Sequence, residues 1–343
     1  MKMRLAGLPA VALTCLWACA ATAEDERSGH VELCSACGTP ETVIVWGRAL
    51  EDPAAREPQG TGSRLGNLWR SAKLLDTDEI TGRPVTVACA DCTAEAKTDR
   101  EGFFQARLTP AAPLPVGRTP VSVTVRVSDQ TQLTASGSAV IWPRRGATVI
   151  ISDFDDTLCE TGVAERAKAA YLTLTGDATR MRPVRGMAGF LRLLSDANAI
   201  GDCPAPVFYV SGGLVNFQPR LELFLQRSGF PDGVVMLRNL GLGADNDPLS
   251  VQDYKLQRIS ALMELYDGCG FVLIGDSGEK DPEVYAALRA AQPDRVRAVM
   301  VRQIGEGDQR ERLKDDIVFK DGLDAAMAAF DSGLLQTERG GKQ

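Results

Sequence analysis

This chain of 343 residues carries a single histidine, His30. That scarcity excludes histidine phosphatases, Ser-His-Asp hydrolases and histidine-rich binuclear metal centres, each of which needs imidazole at the heart of its site. No G-x-x-x-x-G-K-[ST] loop occurs, which argues against a nucleotide-driven motor. Basic residues are in deficit, 38 against 45 acidic ones, for a net charge of −7. A chain of that sign is a poor non-specific binder of nucleic acid. Contact with an anionic membrane would depend on local basic or apolar patches, of which Arg180, Arg182 and Arg185 form one candidate. After residue 23 no apolar run approaches the ~20 residues of a membrane-spanning helix.

The first residues read as an export signal. Met1-Lys2-Met3-Arg4 is a positive start, 5–20 a short apolar stretch, and Ala21-Thr22-Ala23 a small-residue cleavage site. The expectation is a signal peptide over 1–23 and an exported chain, periplasmic or extracellular. Lipoprotein anchoring through Cys19 is a competing outcome, although Trp17 fits a lipobox poorly. Beyond the leader, Cys34-x-x-Cys37 and Cys89-x-x-Cys92 form two pairs. Thiolates at that spacing can wrap a structural Zn²⁺, whereas an oxidising compartment favours disulfides linking the pairs. Both readings stay open. Cys159, Cys203 and Cys269 read as small buried residues at element ends.

The chain divides by pattern. Residues 24–41 form a Cys-containing segment, and 42–146 carry strand-like runs at 42–46, 84–88, 102–108, 121–127 and 139–142. Val121, Val123, Val125 and Val127 alternate with polar residues, as a sheet with one buried face requires. A β-sandwich without catalytic groups is expected there, with a loop over 51–70. From 147 to 330 strands alternate with helices at 164–174, 187–198, 216–226, 253–266 and 282–291, closing on a strand at 296–301. That alternation predicts a doubly wound parallel sheet. Residues 331–343 are a polar tail.

The chemistry concentrates in this second part. Val149-Ile150-Ile151 reads as a strand buried on both faces, running into Asp153, Asp155 and Thr157 at its carboxyl edge, where open α/β sheets bind ligands. A second apolar run from Val207 ends in Ser211-Gly212-Gly213. Lys255 opens a helical pattern, and a third run from Phe271 ends in Gly275-Asp276, with Asp281 five residues on.

These segments resemble the four motifs of the haloacid dehalogenase (HAD) phosphohydrolases. Those at 255–259 and 271–285 resemble, more narrowly, the actin-patch-type phosphatidate phosphatases, relatives of the lipins, over about 147–305. The chain departs from that family after Ser211, where Gly212-Gly213-Leu214-Val215 replaces an Asn-Ser-Pro-Trp-like run. The fold implied is α/β: a HAD-like doubly wound parallel sheet with little or no cap, preceded by a small all-β sandwich. The resemblance makes Asp153 the nucleophile and Asp155 the general acid and base. Thr157, Ser211 and Lys255 would hold the phosphoryl oxygens. It implies Mg²⁺ on Asp153, the Asp155 carbonyl and Asp276, with Asp281 orienting metal-bound waters. Lys280 is a rival cation. The expected substrate is a phosphorylated lipid at a membrane surface, phosphatidate above all. Another exported phosphomonoester, or an envelope binding protein with a vestigial HAD domain, are the alternatives.

Overall fold

The computed structural model describes residues 29–51, 78–160, 181–239, 250–305, 309 and 311–335. The leader and lipoprotein expectations, almost all of the 51–70 loop, the helix at 164–174, Arg180 and most of the polar tail lie outside them.

Seven strands build the first unit: β1 (His30–Thr39), β2 (Thr42–Leu50), β3 (Pro84–Cys89), β4 (Cys92–Lys97), β5 (Phe103–Leu108), β6 (Gly117–Arg126) and β7 (Gln132–Ile141). They form one sheet in the order β4-β3-β6-β7-β1-β2-β5, antiparallel except where β1 meets β7. The end strands β4 and β5 approach each other, so the sheet rolls up around its own core. Val85, Val87, Val121, Val123 and Val125 all point into that core, while Thr86, Ser122 and Thr124 between them point out. This is the two-residue period of a half-buried strand.

The second unit is a six-stranded, wholly parallel sheet ordered β10-β9-β8-β11-β12-β13. Its strands are β8 (Arg145–Ser152), β9 (Val207–Leu214), β10 (Gly233–Arg238), β11 (Gly268–Asp276), β12 (Val296–Arg302) and β13 (Ile317–Phe319). The helices are α1 (Met187–Ala197), α2 (Gln218–Arg227), α3 (Val251–Leu265), α4 (Asp281–Ala291) and α5 (Gly322–Asp331). Val149, Ile150, Ile151, Phe271, Leu273 and Ile274 are fully enclosed, as a parallel sheet covered on both faces demands. Among the described residues no helix is long and apolar enough to cross a membrane.

The expected fold class needs correction. The described chain is mostly β, with thirteen strands against five α-helices. Its first unit is one nearly closed mixed sheet and not a sandwich of two. Rolling lets a single sheet bury one face against itself, and alternating burial looks the same in both arrangements. The segment read as a Cys-containing leader to the sandwich is itself strand β1, paired with both β2 and β7.

The two cysteine pairs lie apart in the rolled sheet. Cys34 and Cys37 lie on β1, whereas Cys89 and Cys92 face each other at the β3–β4 hairpin. Two strands, β6 and β7, intervene between β3 and β1. Three strand spacings of ~4.8 Å exceed the ~7 Å Cα separation a disulfide spans. All four thiols are free, and among the described residues no metal-capable cluster includes a cysteine. Burial pushes the Cys37 thiol up to about 12, which makes it an inert packing group.

The two sheets share a core. Cys37, Val140 and Trp142, from the end of the rolled sheet and the link after it, pack with β8, β9 and β11. The Trp142 indole donates to the Thr148 carbonyl at 3.0 Å, and the Tyr266 hydroxyl to that of Gly38 at 3.2 Å. Trp142 is 1% exposed, so Trp142→Ala should cost about 3–5 kcal/mol through the void it leaves. Urea denaturation measures this, and a loss below ~1 kcal/mol would contradict a shared core.

Candidate active site

Three strand ends and two helix starts converge at the carboxyl edge of the parallel sheet. Asp153 follows β8 directly, and its backbone N–H donates to Ile274 of the adjacent β11 at 2.8 Å. The chain then turns through Asp156, which has a left-handed φ of 53°. That turn is braced by Arg302, whose Nη1 donates to the Asp156 carbonyl at 2.5 Å. Ser211 lies within β9. Its hydroxyl donates to Asp155 Oδ2 at 3.3 Å and accepts from the Gly213 N–H at 3.0 Å. Thr157 is fully buried, with Oγ1 lacking a hydrogen-bond partner.

Lys255, in the second turn of α3, is 2% exposed. Its Nζ lies 2.6 Å from Asp153 Oδ1, 2.5 Å from Asp281 Oδ1 and 3.4 Å from Glu279 Oε2. Burial alone would pull this ammonium down, but the Asp153 and Asp281 carboxylates outweigh it and hold Lys255 well above its ordinary value. Lys280 points elsewhere, 3.9 Å from Glu283 and exposed. Asp276 ends β11, and its Oδ1 accepts from the N–H groups of Gly278 and Glu279 at 2.6 and 3.1 Å. Asp281 opens α4 with both oxygens engaged, Oδ1 on Lys255 and Oδ2 accepting from the Asp276 N–H at 3.3 Å. Gly275 permits this approach, because a Cβ there would sit 2.5 Å from Asp281 Oδ2 and 2.8 Å from the Tyr285 ring.

Two carboxylate oxygens, Asp153 Oδ2 and Asp276 Oδ2, are buried with no hydrogen-bond partner. Ligand atoms of Asp153, Asp276 and Asp281 lie within 4.8 Å of one another. Buried acceptors of this kind are costly to leave unmade, and three carboxylates around one ammonium leave a surplus of negative charge. The donor set is all oxygen and rich in carboxylate, which suits a hard divalent cation such as Mg²⁺. Asp281 fits the part of an orienting group, since both of its oxygens already have partners.

Burial pushes Asp155 up to about 6, with the Glu279 charge adding to it. Burial and the neighbouring Asp281 push Asp276 up to about 7. For Asp153 burial raises the carboxyl well above its usual range, against the pull of Lys255.

Sequence reasoning gave no role to Glu279, Arg302 or Arg312. Arg312 clamps the loop after β11: it donates to the carbonyls of Ser277 and Glu279 at 2.6 and 2.5 Å and pairs with Glu283 at 2.7 Å. It comes from beyond the last motif, so no local spacing marks it. Of the proposed basic patch, Arg182 and Arg185 are exposed on the segment leading into α1.

Comparison with known proteins places this domain. Residues 148–303 match the family model described as the catalytic domain of phosphatidate phosphatase APP1. The chain is 25% identical over 154 residues to the phosphatidate phosphatase APP1 of Saccharomyces cerevisiae, covering 45% of this chain and 25% of that protein. It is 26% identical over 164 residues to an uncharacterized protein of Schizosaccharomyces pombe, covering 47% and 26%. The chain thus spans about a quarter of the length of these curated relatives. A carbohydrate acetylesterase from Xanthomonas citri aligns over 90% of this chain and 76% of its own, at 13% identity and a TM-score of 0.31. That score is too low to carry an argument.

The charge surplus makes a prediction. Asp276 titrates near 7 in the fold against 3.8 for the free side chain. The folded state therefore holds this proton more tightly, so its stabilising effect is full below pH 3.8 and is lost as pH rises through 7. In metal-free protein, Asp276→Asn, which mimics the protonated form, should become progressively more stable than wild type across that range. Urea midpoints at several pH values measure the difference. A constant difference between the two would refute the surplus.

Proposed function

We propose that this chain is a Mg²⁺-dependent phosphomonoesterase working through an aspartyl-phosphate, with phosphatidate as its substrate and diacylglycerol as a product. The observation that carries the reading is Asp153 itself. It is a buried carboxylate with one oxygen on Lys255 and the other unpartnered, beside the equally unpartnered Asp276 oxygen. The match of residues 148–303 to the APP1 catalytic-domain model supports the substrate.

The chain's own groups divide the work. A carboxylate oxygen of Asp153 forms a bond to phosphorus as the bond to the leaving alkoxide breaks. Asp155, raised to about 6, is suited to give that alkoxide its proton and then to take one from the water that splits the acyl phosphate. Lys255, Ser211 and Thr157 offer an ammonium and two hydroxyls to the phosphoryl oxygens, whose negative charge must be matched for transfer to proceed. Asp153 and Asp276 would hold Mg²⁺, with Asp281 orienting its waters. When bound, the cation supplies Lewis-acid neutralisation of the phosphoryl charge.

Asp153→Asn should lower kcat by roughly 10³-fold or more while the melting temperature holds. Asp155→Asn should harm alkyl phosphates more than aryl phosphates, whose leaving groups need no proton. Activity should vanish on chelation and return with Mg²⁺. Phosphatidate in mixed micelles should show a far higher kcat/KM than glycerol 3-phosphate, which offers the same ester without chains. Residual Asp153→Asn turnover above a tenth of wild type would sink the mechanism, and equal use of the two substrates would sink the lipid assignment.

A further inference from the structure

Glu279 lies in the loop between Asp276 and Asp281. Its main chain is tied on both sides: the N–H donates to Asp276 Oδ1 at 3.1 Å, and the carbonyl accepts from Arg312 Nη2 at 2.5 Å. Its side chain is 50% exposed, yet one oxygen, Oε2, lies 3.4 Å from Lys255 Nζ. The carboxylate can therefore swing toward solvent about its own side-chain bonds while the loop stays in place.

Lys255 has three N–H groups to give. Three carboxylate oxygens surround its Nζ: Asp153 Oδ1 at 2.6 Å, Asp281 Oδ1 at 2.5 Å and Glu279 Oε2 at 3.4 Å. The first two belong to side chains only 1% exposed. Taking the ammonium from either would strand a buried charge, which is costly. The contact with Glu279 is of another kind. It is longer than the roughly 2.7–2.9 Å of a charge-assisted hydrogen bond, and its partner stands half in water, where ion pairs are weak. The N–H that Lys255 can surrender to an incoming oxygen is thus the one facing Glu279.

We propose that Glu279 holds the place of a phosphoryl oxygen on Lys255 in the phosphate-free protein, and that the phosphate group of substrate or product displaces it. The inference rests on the reading of the chain as a phosphatase, in which Lys255 receives a phosphoryl oxygen. Glu279 then competes with every phosphate that enters, esterified or free. The consequence falls on the product as much as on the substrate: the returning carboxylate loosens the hold on inorganic phosphate and favours its release. Glu279 is a positioning residue, because it acts through Lys255 and touches no reacting atom.

Calorimetric titration of inorganic phosphate into protein supplied with Mg²⁺ reads this competition without turnover. Glu279→Gln should lower the Kd for phosphate about fivefold, the scale of a partly exposed ion pair. KM for phosphomonoesters should fall by a similar factor, with the unfolding midpoint unmoved. A residue that merely shaped the loop would do the reverse, weakening phosphate binding and stability together when changed. Glu279→Asp keeps the charge but loses one CH₂ of reach, so it too should tighten phosphate binding by most of that factor. Wild-type affinity in Glu279→Asp would assign the effect to general repulsion and overturn the proposal. An unchanged or higher Kd in Glu279→Gln overturns it while leaving the phosphatase reading intact. Failure of wild type and variants alike to bind phosphate overturns both.

Discussion

One ammonium against three buried carboxylates is the constraint on which the rest of this domain depends. Taking a single charge out of water costs several kcal/mol, and a buried pair recovers that only with good geometry and further hydrogen bonds. Lys255 reaches Asp153 and Asp281 at 2.6 and 2.5 Å, and it leaves Asp276 to two backbone N–H groups. The cluster thus stays one cation short of neutrality. That surplus destabilises the metal-free fold, and a divalent cation held between the Asp153 and Asp276 oxygens that lack partners would remove it.

Holding such a cluster together requires an unusually well supported backbone. β11 must bring Asp276 next to Asp281 five residues later, and only a residue without a side chain at 275 leaves room for that carboxylate and the Tyr285 ring. Asp281 sits in the first turn of α4, where the exposed N–H groups favour an anion. The Tyr285 hydroxyl, one turn further on, donates to the Ile274 carbonyl at 3.0 Å and ties that helix to the strand. Arg312 and Arg302 fasten the two loops from outside. Their partners in these loops are carbonyl oxygens, and the one carboxylate Arg312 pairs with is Glu283, so they fix the path of the chain without engaging Asp153, Asp276 or Asp281.

Much of this site is legible in the amino-acid order because its chemistry is local. β-branched runs ending in Asp153, Ser211 and Asp276 announce strands and their carboxyl edges, and Lys255 and Asp281 follow at the starts of amphipathic helices. What fails to show is whatever depends on distant pairing. Alternating Val121, Val123 and Val125 show that β6 has one buried face, but the closing of β4 toward β5 is set by strand order. β1 lacks alternation because Cys37 leaves the rolled sheet's core for that of the parallel sheet. The two C-x-x-C pairs have the spacing of a metal or disulfide site, yet β6 and β7 stand between them. Arg312 lies 36 residues beyond Asp276 in a stretch without periodicity, so nothing nearby marks it.

The rolled sheet is not an independent appendage. Cys37, Val140 and Trp142 lie inside the core beneath the reactive strands, and Tyr266 and Gln218 reach back to carbonyls of β1. With the units packed against each other, Trp46 and Phe103 stand beside Val215 and Leu237, close to the end of β9 that carries Ser211. Contacts remote from the reacting phosphorus raise kcat when their binding energy goes into orienting the ester against the nucleophile. A fused, rigidly docked sheet can supply such contacts, whereas a tethered domain would lose them to its own motion. The shared core therefore fixes the rolled sheet against the strands whose ends carry Asp153, Ser211 and Asp276.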